Sequence, residues 1–113
     1  MHEMAIGASL VGLIEEESRK QGFSKVRVIR VELGEIGHVE PEALRFCFDS
    51  VGRGTIAEGA RLDIVLVGGA GWCLDCGKTV VLTERFGACP ECGHHHVQMT
   101  AGDELRLKEL EVD

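Results

Sequence analysis

The sequence predicts an α+β fold, in which a small three-stranded sheet is covered by two helices and carries an inserted module of four cysteines. Three observations predict it. Two segments place apolar residues at helical spacing, three segments are strand-like runs of Val, Ile and Leu, and two C-x-x-C pairs lie between the second and third of those runs. A chain of 113 residues suffices for one small core with a metal-stapled addition.

The first helix and the first strand follow from hydrophobic periodicity. Apolar residues recur at helical spacing over Glu3–Lys20, opposite charged residues, and Gly22 follows as a stop signal. The run Lys25–Leu33 is rich in Val and Ile and predicts a strand. Its alternation changes parity between Val28 and Ile29, so we expect a bulge or burial on both faces there.

The second helix opens at Pro41, because proline is tolerated in the first helical turn, and Gly52–Gly54 end it. Cys47 in this helix is expected to be a small core residue. Alternating apolar residues predict strands over Arg61–Val67 and Glu104–Val112. Pairing these two strands with the first gives the three-stranded sheet.

Glycines set the expected domain boundaries. Gly68–Gly71 is interpreted as a hinge-like linker and Gly102 as a second glycine joint, which together would let the cysteine module tilt. We therefore expect an α/β domain of residues 1–67 plus 103–113, and a separate module of residues 68–102.

Four cysteines predict a metal site: Cys73, Cys76, Cys89 and Cys92. Thiolates separated by two residues can face one ion from a single tight turn, and two such turns complete a tetrahedron around Zn²⁺. A glycine follows the second cysteine of each pair and allows a positive φ at little cost. We expect a zinc-ribbon-like module that holds structural zinc.

Other interpretations of the cysteines are weaker. A redox motif or disulfides would suit a secreted chain or a βαβ pattern, and neither is recognisable here. A rubredoxin-type iron centre uses the same paired turns, but one Trp, four Phe and no Tyr are available to shield it. Nucleic-acid binding is disfavoured by 19 acidic against 12 basic residues, a net charge of −7.

A cytoplasmic location is expected. No apolar run approaches the roughly 20 residues that span a bilayer, and the segment Met1–Met4 lacks the basic start of a signal peptide. A reducing compartment also suits cysteines held as thiolates by a metal. We expect neither a membrane nor a nucleic acid among the partners.

The amino terminus offers a second set of metal donors. The amine of Met1, the amide nitrogen of His2 and its imidazole can lie in one plane around an ion, with Glu3 available for a fourth position. Square-planar nitrogen donors suit Ni²⁺ or Cu²⁺. The alternative is a disordered histidine at a chain end, but a helix beginning at once would hold these donors on a folded surface.

Several segments, in this order, carry a family resemblance: Met1-His-Glu-Met, Val31-Glu-Leu-Gly, Pro41-Glu-Ala-Leu with Phe46, Gly54-Thr-Ile-Ala-Glu-Gly-Ala, the two cysteine pairs and the carboxy-terminal strand. They resemble the HypA/HybF family, nickel chaperones that help insert Ni²⁺ into [NiFe]-hydrogenase. The resemblance covers essentially the whole chain, although only the cysteine pairs are specific by themselves.

This resemblance implies that His2 ligates nickel, with Glu3 and the Met1 amine close by, and that the four cysteines hold structural zinc. It makes residues 1–67 plus 103–113 the nickel-binding domain. It also implies a GTP-hydrolysing partner that supplies nickel, and delivery to the hydrogenase large subunit. The chain has no Gly-Lys-Ser or Gly-Lys-Thr phosphate loop, so nucleotide chemistry would belong to that partner. Monomer and homodimer both stay open.

The run His94–His96 departs from the family pattern. It is either a solvated loop or an auxiliary nickel site that the zinc module swings toward His2. His38 is expected to be a surface residue.

The leading hypothesis is a nickel metallochaperone, and the alternative is a zinc-ribbon interaction adaptor without its own nickel delivery role. An enzyme is disfavoured, because no serine lies in a nucleophile motif and a zinc ion with four protein ligands has no open position for water.

Overall fold

The computed structural model describes residues 3–113. Its elements are α1 (Glu3–Gln21), β1 (Val26–Gly34), α2 (Pro41–Gly52), β2 (Arg61–Val67), β3 (Ala70–Cys73), β4 (Lys78–Val81), β5 (Val97–Ala101) and β6 (Leu105–Val112). The strands form two three-stranded sheets, with the orders β2-β1-β6 and β4-β3-β5. The predicted α+β class, both predicted helices and the pairing of the three predicted strands are confirmed.

The chain divides into two compact units. The first unit runs up to Val31 and includes Val39–Ile64 and Leu107–Asp113, and the second consists of Glu32–His38 and Val65–Arg106. The division falls within strands β1, β2 and β6. The boundaries expected from the sequence, which follow the glycines instead, stay a prediction.

The first unit is built around one apolar core. Helix α1 contributes Leu10 and Ile14, and α2 contributes Leu44 and Phe48, which pack with buried residues of β1 and β2. The parity change in β1 is explained by burial on both faces, because neighbouring Val28 and Ile29 are both buried. Proline stands in the first turn of α2, as predicted.

The second unit contains a sheet that the sequence did not predict strand by strand. Its central strand β3 pairs antiparallel with β4 and with β5, so that Trp72 lies opposite Thr79 on one side and Gln98 on the other. The side chain of Trp72 is 42% exposed. These strands are four or five residues long. Cys73 ends β3, and the other three cysteines lie in the connections from β3 to β4 and from β4 to β5.

The expected hinge at Gly68–Gly71 is wrong. Ala70 and Gly71 belong to β3, and a Cβ placed on Gly69 would lie 2.0 Å from the Leu82 carbonyl oxygen. A Cβ on Gly102, the second expected joint, would lie 2.9 Å from the Gly69 Cα. Close approach of backbone segments within the second unit, rather than flexibility, therefore requires glycine at these positions.

Cys47 is also less buried than expected. It is half-buried in α2, and its neighbour Phe46 is 77% exposed. The pair lies at the solvent edge of the helix, since only every third or fourth residue of a helix faces the core.

Among the helices that the structure describes, none combines the length and apolar character needed to cross a bilayer.

We expect Gly69→Ala to lower the free energy of unfolding by at least about 2 kcal/mol, because the added methyl group forces a backbone shift. Gly12→Ala is the control: its Cβ meets nothing within 4 Å and lies inside α1, so it should stabilise by up to about 1 kcal/mol. Urea denaturation followed by circular dichroism measures both. Equal midpoints for Gly69→Ala and the parent protein would show that the close packing is unimportant.

Two leucines of α1 form a matched pair for testing the first core. Leu10 is 2% exposed and Leu13 is 46% exposed. We expect Leu10→Ala to destabilise by about 2–5 kcal/mol through lost burial and a residual cavity, and Leu13→Ala by less than about 1 kcal/mol. Thermal unfolding measured by far-ultraviolet circular dichroism distinguishes them, and similar losses would contradict this orientation of α1.

Candidate metal centre

The four predicted cysteines meet in the second unit. Cys73 and Cys89 are buried, Cys76 and Cys92 are half-buried, and all four sulfur atoms lie within 4.8 Å of one another. The Sγ atoms of Cys73 and Cys92 are 3.7 Å apart, and those of Cys76 and Cys89 are 3.9 Å apart. The structure therefore brings together the ligand set that the spacing predicted.

Each cysteine pair sits in the same kind of turn. The N–H of Gly77 donates to the Cys73 carbonyl at 2.8 Å, and the N–H of Gly93 donates to the Cys89 carbonyl at 2.9 Å. Both glycines have positive φ, 65° and 78°. The predicted role of glycine after the second cysteine is confirmed, because this left-handed conformation returns the chain beneath the sulfurs.

Backbone N–H groups point at two of the sulfurs. The N–H of Cys76 donates to Cys73 Sγ and the N–H of Glu91 donates to Cys89 Sγ, each at 3.4 Å. Such bonds favour the thiolate form. An ion pair of 2.6 Å between Lys78 Nζ and Glu91 Oε1 links the residues beside the two turns.

Hydrogen bonds give the thiols of Cys76 and Cys89 very different pKa values. Hydrogen bonds with Cys92 and then Cys73 raise the pKa of the Cys76 thiol to about 12. Backbone donation from Cys92, with that from Glu91, lowers the pKa of Cys89 to about 7. Four thiolates this close repel one another, so a divalent cation among them is what permits all four to lose their protons.

The sulfur geometry fits a tetrahedral metal ion. Metal–sulfur bonds of about 2.3 Å, as in zinc sites, give a tetrahedron with edges of about 3.8 Å, and the two measured sulfur–sulfur distances are 3.7 and 3.9 Å. Four sulfurs would complete the coordination and leave no position for a reacting water. The arrangement can hold an ion and stabilise a fold, but it offers no Lewis-acid site.

An acidic and imidazole cluster adjoins this centre. Asp75 Oδ2 lies 3.0 Å from Nδ1 of His94 and 2.8 Å from Nδ1 of His96. The hydrogen bond with His96, and then that with His94, lowers the pKa of Asp75. Sequence reasoning singled out the histidines but not Asp75, although it stands inside the first cysteine pair.

The amino-terminal site is described in part. Met1 and His2 lie outside the described residues. Glu3 is the first residue of α1, and its Oε2 accepts a hydrogen bond of 3.1 Å from the N–H of Glu40, the residue that caps α2. His38 is exposed, as predicted, and has a positive φ of 58°.

The comparisons with known proteins agree on one family. A family model described as "Hydrogenase/urease nickel incorporation, metallochaperone, hypA" matches residues 1–112. The chain is 66% identical over 113 residues to the hydrogenase maturation factor HypA of Methylocella silvestris, and 56% identical over 113 residues to that of Rhodopseudomonas palustris, with 100% of each chain covered.

Solved structures support the same conclusion. The fold is similar to the solution structure of the Ni metallochaperone HypA from Helicobacter pylori, with a TM-score of 0.73, 29% sequence identity, and coverage of 99% of this chain and 97% of that chain. The resemblance drawn from the sequence motifs is therefore confirmed. The chain belongs to the HypA family of nickel-incorporation metallochaperones.

Proposed function

We propose that this protein is a nickel metallochaperone that binds Ni²⁺ at its amino terminus and assists nickel insertion into [NiFe]-hydrogenase, while its four cysteines hold structural zinc. The observation that carries the proposal is the match of residues 1–112 to the HypA family model. The relatives named hydrogenase maturation factor support hydrogenase as the destination.

The case for zinc at the four sulfurs rests on chemistry. Zinc has no electronic preference for a geometry and accepts an all-thiolate tetrahedron, which is the usual form of a structural zinc site. The two measured sulfur–sulfur edges match that form. Nickel delivery requires an ion that can leave, and a closed set of four sulfurs does not favour exchange. We therefore assign the cargo to another site.

The case for nickel at the terminus rests on the donors and on their anchor. The Met1 amine, the amide nitrogen of His2 and its imidazole are nitrogen donors of the kind that square-planar Ni²⁺ prefers. Glu3 follows them directly, and its carboxylate binds the backbone of Glu40 at the start of α2. Residues 1 and 2 are thus attached to a point that is fixed within the first unit.

The partners follow from the same proposal. A GTP-hydrolysing protein would supply nickel, and the hydrogenase large subunit would receive it. This protein itself would act as a monomer or a homodimer. Cysteines that hold a metal as thiolates suit the reducing conditions of the cytoplasm. This protein acts by binding and transfer, and we assign it no catalytic residue.

We expect Cys73→Ser to lose tightly bound zinc and to unfold the second unit, because metal binding supplies much of the folding free energy of small metal-held domains. Helices α1 and α2, which have their own core, should persist. Metal analysis and circular dichroism measure the two effects, with Cys47→Ser as the matched control that keeps its zinc. Undiminished zinc in Cys73→Ser, or a red iron-containing protein, would overturn the zinc assignment.

We expect His2→Ala to weaken nickel binding at the terminus by about 100-fold or more, because it removes an imidazole ligand. In the unchanged protein, affinity should fall as pH drops below roughly 6.5, where an ordinary imidazole takes up a proton and can no longer bind metal. Calorimetry on tag-free protein measures both, and exposed His38→Ala is the control.

A protein extended at its amino terminus distinguishes a nickel chaperone from an interaction adaptor. Adding five residues before Met1 moves the terminal amine too far from His2 to share a planar chelate with its imidazole, and it leaves the described surfaces unchanged. Hydrogenase maturation should then fail if the protein carries nickel itself. Normal maturation by the extended protein would favour the adaptor function.

A further inference from the structure

Two histidines converge on one carboxylate oxygen beside the four-sulfur centre. Nδ1 of His94 and Nδ1 of His96 lie 3.0 and 2.8 Å from Oδ2 of Asp75. The two imidazole ring centroids are 6.1 Å apart. The carboxylate and the rings come from segments separated by 19 and 21 residues, so the fold itself assembles the cluster.

The backbone that carries these histidines is held by both cysteine turns. The carbonyl of His94 accepts a hydrogen bond from the N–H of Cys89 at 2.8 Å, and the carbonyl of His96 accepts one from the N–H of Leu74 at 2.9 Å. The two imidazoles are therefore presented by a segment whose main chain is fixed to the metal centre.

We propose that Asp75, His94 and His96 form a second, exchangeable site for a divalent transition metal ion. The Oδ2 atom of Asp75 stands at a coordination separation from each imidazole nitrogen. Cis ligands on bonds of about 2.1 Å, a usual length for nitrogen and oxygen donors, are about 3.0 Å apart. An ion that replaced the shared hydrogen-bond protons would draw the two imidazoles together around Asp75, and their exposed side chains have room for that movement.

Charge lets this site attract a cation, and exposure lets the cation leave again. Four thiolates outweigh the charge of one divalent ion, so the neighbouring centre stays anionic and attracts a further cation. His94, Asp75 and the sulfur of Cys92 have ligand atoms within 4.8 Å of one another, which places the site at the edge of that centre. The side chains of His94 and His96 are exposed, so water completes the coordination and the ion can leave.

Imidazole with one carboxylate is a borderline ligand set that suits Ni²⁺ better than Mg²⁺ or Ca²⁺. We take the ion to be nickel, and this choice rests on the proposed function, whereas the site itself rests on its geometry. The site would give the protein a second, weaker position for its cargo, independent of the terminal chelate.

The test is calorimetric titration of zinc-loaded, tag-free full-length protein with Ni²⁺. We expect the double variant His94→Ala, His96→Ala to lose one component of nickel binding and to keep its zinc and its circular dichroism spectrum. His95→Ala is the matched control, because His95 is exposed in the same segment, and it should leave the titration unchanged. An unchanged titration in the double variant would overturn the proposal.

Asp75→Asn provides a second variant that keeps the shape of the side chain. We expect it to weaken the same component by at least about tenfold, since even the loss of a partner of a metal ligand costs about that much. X-ray absorption at the nickel edge of His2→Ala protein should show nitrogen and oxygen neighbours. Sulfur neighbours would mean that nickel had entered the cysteine centre, and would also overturn the proposal.

The two nickel assignments fail independently. If His2→Ala changes nothing while the double variant loses a component, the terminal site is wrong and the second site stands. If His2→Ala removes all nickel binding, the second site is wrong and the terminal chelate stands.

Discussion

The convergence of four sulfurs to within 4.8 Å is the constraint on which the second unit depends. Val80 and Val97 pack against these sulfurs and contribute about 3–6 kcal/mol by burial, and the second unit also buries Leu33, Ile36 and Leu82. Binding of a structural metal ion to such cysteines is worth on the order of 10–16 kcal/mol. A metal ion bound by these sulfurs would therefore contribute more than the two valines around them to the order of the turns that connect β3, β4 and β5.

The first unit is stabilised by apolar burial. Its helices and strands bury a continuous set of aliphatic side chains, including Leu10, Ile14 and Leu44, around which half-buried residues pack. Each such side chain contributes about 1.5–3 kcal/mol when it leaves water. The chain therefore joins one unit held by apolar burial to one unit that combines apolar burial with four sulfurs, and loss of a metal ion from those sulfurs should affect the two unequally.

Hydrophobic periodicity was sufficient to predict the helices and strands of the first unit. The amphipathic spacing in α1, Pro41 at the start of α2 and the alternation over Arg61–Val67 each depend on residues close in sequence. The four-cysteine cluster was equally predictable, since C-x-x-C spacing reflects the size of a turn. The terminal donors Met1 and His2, outside the described residues, stay a sequence-based prediction.

What the sequence could not reveal depends on contacts between distant residues. Gly69 resembles a linker residue in sequence but is a packed position, because the carbonyl of Leu82, the residue after β4, approaches it closely. Asp75 resembles an ordinary polar residue of a turn until the fold brings His94 and His96 to its carboxylate. The position of Trp72 in β3, directly before buried Cys73, has a practical consequence. Since the chain has one tryptophan and no tyrosine, its tryptophan fluorescence reports on the sulfur-bearing unit, and melting of the helices alone would leave that fluorescence unchanged.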